Sequence, residues 1–282
     1  MITIHPKDTN IGYLHAMMLS AIAPRPIAWV STVDVDGIVN LSPYSFFNAF
    51  GSNPTRLIFS PARRVRNNTI KHTLVNCKST NECVINVVTY ELVQQASLSS
   101  VEYDEGVDEF VKAGLTPKDS LLVKAPRVSE SPVQMECKVI DIIETGQDGG
   151  AGNLVICEIL CMHINENILD DDQKIDPNKI DVVGRMGGDY YVRASGSALF
   201  KLDKPNEKIS IGFDGLPHAL QTSTILTGSE LAMLASVHQI PQLVSSFRYQ
   251  SLNIQHIAIK KLLETNDINA AWQAALVPNT IA

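Results

Sequence analysis

The sequence lacks the long apolar runs that place a protein in a membrane. No stretch of the 282 residues approaches the roughly 20 consecutive apolar residues of a spanning helix. Residues 1–6 also lack the basic and apolar segments of a secretion signal. Cysteines number only 5, an odd count that favours reduced thiols over a disulfide framework. We therefore expect a cytoplasmic protein with no membrane partner.

Positive charge is scarce as well. The chain has 23 Lys and Arg against 30 Asp and Glu, which gives a formal net charge of −7. A nucleic-acid partner needs a basic face, so this balance argues against one. The basic residues that do cluster fit either a small-anion site or a solvated loop, and they are Arg63, Arg64, Arg66 and Lys71.

Several motifs that would define a reaction are missing. No Gly-x-Gly-x-x-Gly follows a strand, and neither a Walker A motif nor Gly-x-Ser-x-Gly occurs. The glycines of residues 149–152 lie between two predicted strands and indicate a hairpin turn. Cys157 and Cys161 would share one face of a strand, which favours buried structural thiols over a zinc pattern. The acidic residues 170–172 indicate a solvated loop, with a weak cation site as the alternative, and we expect no metal site.

The first 200 residues are rich in β-strand patterns. Two runs, residues 27–33 and 38–47, flank Asp36-Gly37 and predict a hairpin. Other strands are predicted at residues 57–60, 83–89, 133–145 and 153–164. Helical spacing predicts helices at residues 69–77, capped by Asn68 or Thr69, and at 91–100, whereas 101–119 and 170–181 have loop composition.

The composition changes near residue 201, where helical patterns take over. Helices are predicted at residues 231–238, 253–263 and 268–276. Strands and crossover helices do not alternate regularly, which argues against a doubly wound parallel sheet. With a hydrophobic fraction of 45%, the chain has ample material for a core. We predict a mainly β domain at residues 1–200 and a helical C-terminal extension at 201–282.

Hydroxyl, aromatic and cationic side chains gather between residues 23 and 76. Taken singly, each is explained by a turn or by the core. Taken together, they fit a phosphorylated cofactor, because hydroxyls and a helix start bind phosphate oxygens and Arg and Lys add charge-assisted bonds. An aromatic side chain, Trp29, Phe46 or Phe47, would cover a flat heterocycle.

This region carries a resemblance to a known family. Residues 23–32 and 40–48 resemble the N-terminal signature of flavin reductase-like proteins, and residues 71–76 leading into 82–87 continue it. Residues 131–137 and 184–191 are similar to later parts of the same pattern. The likeness covers residues 15–195, roughly, and points to the longer, flavoredoxin-like branch.

The resemblance implies a split β-barrel that binds FMN without covalent attachment at a homodimer interface. It implies contacts to the flavin ring and ribityl chain from Ser31, Thr32, Ser45, Phe46, Phe47 and Asn48. It implies phosphate contacts from Ser60, Arg63, Lys71 and Thr73, with Arg25 and Trp29 close by. Arg25 would serve equally well as a structural salt-bridge partner.

The expected activity is that of an NAD(P)H-dependent flavin oxidoreductase. Electrons would pass to free flavin, a metal complex or a partner oxygenase, and hydride transfer to the flavin needs no side-chain base, so we assign no catalytic residue. The alternatives are a non-catalytic FMN-binding electron carrier or interaction module, and a flavin-free barrel. Two departures from the family pattern stand out: His72 occupies a position where relatives carry an acid, and residues 201–282 are additional.

Overall fold

A computed structural model of the protein describes residues 1–104, 106–202, 209–244 and 248–278. The chain forms two compact units, Met1–Phe200 and Lys201–Ala282. In the part of the chain that is described, no helix has both the length and the apolar character needed to cross a bilayer.

The first unit is built on antiparallel strands, as its alternating sequence predicts. Its strands are β1 (Ala28–Val33), β2 (Val39–Tyr44), β3 (Phe47–Ser52), β4 (Thr55–Phe59), β5 (Glu82–Val87), β6 (Pro117–Lys118), β7 (Arg127–Val128), β8 (Val133–Glu144), β9 (Asn153–Ile164), β10 (Val183–Arg185) and β11 (Tyr191–Arg193). Seven of them form one sheet in the order β2-β1-β5-β8-β9-β4-β3, while β6 pairs with β7 and β10 with β11.

Short helices cover this sheet. They are α1 (Ile11–Ala21), α2 (His72–Thr80), α3 (Val93–Leu98), α4 (Glu109–Ala113) and α5 (Pro177–Ile180), with single 3₁₀ turns at Pro6–Asp8, Glu166–Ile168 and Gly196–Ala198. The regular elements in the described part of the second unit are helices joined by irregular segments. The expected combination of a mainly β fold and a helical C-terminal region is therefore confirmed.

The hairpin predicted at Asp36-Gly37 is confirmed. Strands β1 and β2 pair with Val33 opposite Val39, so the turn lies between them. Gly37 has a φ of +88°, a backbone conformation that residues other than glycine rarely adopt. The N–H of Asp34 donates to the carbonyl of Ile38 at 3.0 Å, so the loop has three residues and ends in the left-handed Gly37, a common hairpin connection.

The second predicted strand, residues 38–47, is wrong as a single element. The chain pairs with β1 as far as Tyr44, breaks at Ser45 and Phe46, and then forms β3, which pairs with β4. Asn53 and Pro54 form the turn of this second hairpin. The sequence analysis missed β3 because its residues, Phe-Asn-Ala-Phe-Gly-Ser, have no period of two and are mostly exposed.

Two helices also differ from their predictions. Helix α2 begins at His72 after Lys71, which makes no side-chain cap, so Asn68 and Thr69 are not its caps. The segment predicted as a surface loop at residues 101–119 contains α4, whose Phe110 is 1% exposed. A buried aromatic in an otherwise acidic segment is a tertiary contact that local composition does not predict.

The second unit has its own apolar core. Its helices are α6 (His218–Gln221), α7 (Gly228–Ala235), α8 (Leu252–Glu264) and α9 (Ile268–Leu276). Trp272 is fully buried, and its indole N–H donates to the carbonyl of Leu234 at 3.0 Å. Helix α7 begins with a capping box between Thr227 and Glu230, the pattern Thr-x-x-Glu that is visible in the sequence.

Candidate functional site

A buried chain of hydrogen bonds ties the edge strand β2 to α2 and α4. The phenol of Tyr44 donates to the hydroxyl of Thr73 at 2.8 Å, which in turn donates to the amide oxygen of Asn40 at 2.6 Å. The amide nitrogen of Asn40 donates to Glu109 at 2.8 Å, and the backbone N–H of Leu41 donates to the other carboxylate oxygen at 3.0 Å. Burial raises the pKa of Tyr44 to about 12 and also raises the pKa of Glu109.

Lys71 lies beside this chain, immediately before α2. Its ammonium group is 5.1 Å from the centroid of the Tyr44 ring, and no acceptor in the described ranges accepts a hydrogen bond from it. Burial, and then the nearby Arg64 guanidinium, lower the pKa of Lys71. The first turn of α2 has no side-chain cap, so its N–H groups add partial positive charge at the same place.

Arg64 is a second cation close to Lys71. Its guanidinium donates to the hydroxyl of Thr69 at 3.0 Å and to the carbonyl of Ile70 at 2.7 Å, and it pairs with Glu102 at 3.0 Å. The side chain is 17% exposed. The sequence analysis placed Arg63 here instead, and nothing in the run Arg63-Arg64 distinguishes the two.

Arg63 supports the neighbouring loop. Its guanidinium donates to the side chain of Asn68 at 2.7 Å and to the carbonyl of Asn68 at 2.9 Å. Its backbone exchanges hydrogen bonds with the hairpin loop between β8 and β9, through Ala151 at 2.9 Å and Gly150 at 3.0 Å. A Cβ on Gly149 would lie 3.0 Å from the carbonyl oxygen of Val65 and 3.1 Å from that of Arg64, so a side chain here would crowd the loop of Arg63–Arg66. The predicted glycine turn therefore holds the basic loop in place.

A groove and a larger cavity adjoin each other along β2. The groove is lined by residues of β2, the basic loop, α2 and the segment after α3: Asn40, Ser42, Tyr44, Arg64, Lys71, His72, Thr73, Ser99, Ser100, Val101, Glu102, Tyr103 and Glu109. The cavity has a volume of about 310 Å³ and also contains Ser100 in its wall, with Ile27, Pro43, Ser45, Val93, Ala96, Ser97, Arg185, Asp189 and Tyr191.

Of the predicted residues, only Ser45 lines this cavity, whereas Arg25, Phe46 and Asn48 have other contacts. The Arg25 guanidinium donates to the Ser45 hydroxyl at 3.4 Å. Arg25 is only 5% exposed and also donates to the carbonyls of Leu19, Ile22 and Met186, which indicates a structural role. Phe46 is 37% exposed and makes an edge contact with His15, whereas the exposed Asn48 accepts from the N–H of Ala49 at 2.8 Å.

Five of the predicted residues have almost no surface left for a ligand. Trp29, Ser31 and Thr32 are fully buried, Thr73 is 1% exposed and Ser60 is 7% exposed. Each of their side chains already has a protein partner: Ser99 for Trp29, Pro126 for Ser31, Asn76 for Thr32, Tyr44 and Asn40 for Thr73, and Asn153 for Ser60. Little of these side chains is open to a ligand, and of the five only Thr73 contributes to the wall of the groove.

Phe47 is half-buried and packs against the core of the sheet. Most residues of the walls were not predicted as cofactor contacts, among them Ser97, Ser100 and Arg185, and Arg64 was expected only as a member of the basic cluster. Arg185 belongs to the run Gly184-Arg185 that carried part of the family likeness, and its guanidinium lies 4.7 Å from the ring centroid of Tyr191. The two serines lie at the end of α3, and no local pattern indicated their place at the groove.

Comparison with known proteins agrees with this architecture. The model of the flavin reductase-like domain matches residues 19–177. A protein of Aquifex aeolicus is 37% identical over 196 residues, which is 70% of this chain and 97% of that one. All of the family-model match lies within the first unit.

Two solved structures are similar to the first unit as well. Nitrilotriacetate monooxygenase component B from Bacillus cereus matches with a TM-score of 0.67 and 26% identity, over 72% of this chain and 98% of that chain. A Shewanella frigidimarina protein described as a flavin reductase with a split barrel domain matches with a TM-score of 0.61 and 26% identity, over 72% and 100%. The expected split barrel is thereby confirmed, and the chain belongs to the flavin reductase-like family.

Proposed function

We propose that the protein binds FMN and acts as an NAD(P)H-dependent flavin oxidoreductase. The observation that carries this proposal is the ammonium group of Lys71. It is partly buried next to a second cation, Arg64, and has no acceptor in the described ranges. Glu102 already pairs with Arg64 at 3.0 Å, whereas no carboxylate of the described residues forms an ion pair with Lys71. A partly buried ammonium beside a guanidinium is costly unless an anion binds to it. A phosphate ester at the uncapped start of α2 would supply that anion.

The adjoining cavity has the size and chemistry to receive the ring system. Its volume of about 310 Å³ reaches the range of ligand pockets. Ile27 and Pro43 offer apolar surface, Ser45 and Ser97 offer hydroxyls, and Arg185 offers a cation. Since Ser100 lines both the cavity and the groove, one ligand would extend from Arg185 to Lys71.

This geometry suggests separate roles for the cofactor and for the protein chain. Bound FMN would supply the exchange of hydride and electrons, and the chain would supply position, electrostatics and access. Lys71 and Arg64 would orient the cofactor through its phosphate, while Glu109 holds β2 in place through Asn40. We propose no side chain of this chain as a catalytic acid or base. As for the electron acceptor, the similarity to a monooxygenase component supports a partner oxygenase, with free flavin and metal complexes as the other candidates.

We also propose that the protein is a homodimer. Met162 and Ile164 on β9 are 46% and 39% exposed, although they lie opposite Met135 and Val133, which belong to the buried core. The apolar face of the sheet therefore continues to the surface at this end. Replacing Met162 with Lys should shift the mass in solution toward the monomer, whereas an unchanged mass would place any dimer interface elsewhere. The measurement is light scattering coupled to size exclusion.

The function is tested with the purified full-length protein. We expect it to be yellow, with the visible absorption of an oxidised flavin, and to be bleached anaerobically by NADH or NADPH. A colourless protein that does not take up added FMN would refute flavin binding. A yellow protein that neither nicotinamide reduces, but that a redox partner does, would be an electron carrier rather than a reductase.

A further inference from the structure

Three side chains of metal-ligand type converge where β8 and β9 pair. Glu136, Cys161 and His163 bring one ligand atom each to within 4.8 Å of one another. None of the three lines the groove or the cavity described above. Sequence reasoning placed Cys161 in the core with Cys157, and the structure corrects this point.

The position of Cys161 results from the register between β8 and β9. Glu136 lies opposite Cys161, but the next residue, Cys137, lies opposite Ile159. Strand β9 therefore has one more residue than β8 at this point. This bulge turns Cys161 away from the face that Cys157 shares with the core and toward Glu136. Cys157 is fully buried, whereas Cys161 is partly accessible.

One distance between the ligand atoms already matches a tetrahedral site, and the others require a small rearrangement. Bonds of about 2.0–2.3 Å to nitrogen, oxygen and sulfur place the ligand atoms about 3.4–3.6 Å apart. Cys161 Sγ and His163 Nε2 are 3.6 Å apart already. His163 Nε2 and Glu136 Oε1 are 2.7 Å apart, a hydrogen-bond distance, and they need to separate by about 0.7 Å when a metal takes the place of the shared proton.

The carboxylate is held in position before any metal binds. Glu136 is fully buried and accepts the backbone N–H groups of Leu121 at 2.8 Å and Leu122 at 2.6 Å. Such outer contacts orient a ligand and are a regular feature of metal sites. The side chain of His163 is 22% exposed, which gives a cation a route from solvent and leaves room for a water ligand.

The guanidinium of Arg127 lies near the three ligand side chains, and a cation directed at them would oppose the binding of a metal ion. The Arg127 guanidinium lies 3.9 Å from Glu136 Oε1 but donates its hydrogen bonds to Asp119 and Gln134. Burial and the Glu136 carboxylate raise the pKa of the Cys161 thiol, and Arg127 opposes that increase. The two positive charges of a divalent metal are balanced by the thiolate and the carboxylate. The only net positive charge left at the site is then that of the Arg127 guanidinium.

We propose that Glu136, Cys161 and His163 form a Zn²⁺ site with one sulfur, one nitrogen and one oxygen ligand and a fourth position for water. Mixed ligands of this kind suit zinc and its substitute Co²⁺ better than Mg²⁺ or Ca²⁺, which prefer oxygen alone. This site does not depend on the proposed flavin chemistry.

The test is metal binding by the full-length protein after treatment with a chelator. We expect one equivalent of Zn²⁺ per chain after dialysis, measured by atomic emission, and a thiolate-to-cobalt charge-transfer band with Co²⁺. Cys161→Ser should abolish the band, and Cys161→Ser and His163→Gln should each weaken Zn²⁺ binding at least 10-fold. His218→Gln, which removes an exposed histidine of α6, should bind Zn²⁺ like the wild type.

Two results would overturn the proposal. One is the absence of stoichiometric Zn²⁺ in the wild type, with circular dichroism showing a folded chain. In that case the Glu136–His163 contact is an ordinary buried hydrogen bond. The other is Zn²⁺ binding that Cys161→Ser and His163→Gln leave unchanged, which would place the metal at different residues.

Discussion

Replacing Lys71 with methionine tests the proposed phosphate site most directly. The change removes the ammonium group and keeps an unbranched side chain. A hydrogen bond to a charged group contributes about 1.5–3 kcal/mol, and 1.4 kcal/mol corresponds to a factor of ten. We therefore expect the Kd for FMN to rise by about 10- to 150-fold in the Lys71→Met protein. Riboflavin has the same ring without the phosphate, so its Kd should not change.

The same substitution should leave the flavin-free protein folded. Burial lowers the pKa of Lys71, which means that the fold disfavours the charged form, and removing it relieves that cost. The lost contact between the ammonium and the Tyr44 ring opposes this gain by about 0.5–1 kcal/mol. The free energy of unfolding without flavin should thus change by less than about 1 kcal/mol. Stabilisation by FMN should shrink in line with the weaker binding.

The assay is a titration with FMN and with riboflavin, followed by flavin fluorescence. Lys78→Met is the matched control, because Lys78 lies on the same helix, is exposed and pairs with Glu144. It should leave both Kd values unchanged, and Arg64→Met should behave like Lys71→Met. If Lys71→Met weakens FMN and riboflavin equally, or neither of them, the phosphate does not bind at Lys71 and the reasoning from its unpaired ammonium is refuted.

Three further predictions concern the rest of the chain. Glu109→Gln replaces one of the two accepting oxygens with an amide donor, which then faces either the Asn40 amide or the N–H of Leu41, and it should lower the unfolding free energy by about 1–3 kcal/mol in a denaturant titration; an unchanged midpoint would contradict this. Deleting residues 201–282 should weaken the dimer or the binding of FMN; an unchanged mass and an unchanged Kd would argue against either role. His256 is buried with its Nε2 unpartnered, and burial lowers its pKa. Since the unfolded chain then binds the proton more readily, the melting temperature should fall as the pH drops below about 6.5, and His256→Gln should remove that dependence.

Two of the hairpins and the longer C-terminal helices could be predicted because their signals are local, whereas helix α1 and the hairpin of β3 and β4 were not predicted. The turn at Asp36-Gly37, the strand pair β8 and β9 and the helices α8 and α9 follow from spacing and turn chemistry within a few residues. The same holds for the family likeness, which depends on the order of short motifs along the chain. Only part of the predicted site, around Ser45 and Lys71, faces the groove or the cavity.

What the sequence left open is how distant segments meet. The run Arg63-Arg64 is chemically uniform, and only the packing of the glycine hairpin and α2 directs Arg64 rather than Arg63 into the groove. Trp29 is enclosed in an apolar cluster that includes Leu92 and Phe110, and its indole N–H donates to the hydroxyl of Ser99, 70 residues away in the chain. Strand β3 forms because β4 pairs with it.

By itself, the sequence determined the two-part organisation into strand and helix patterns, the turns between neighbouring strands and the family likeness, because these depend on side-chain period and turn residues close in the chain. The tertiary structure alone decided which polar side chains are exposed to a ligand. It also brought Cys161 to Glu136, through a bulge that reverses the face of β9. Such register shifts depend on both strands at once, so no single segment contains the information.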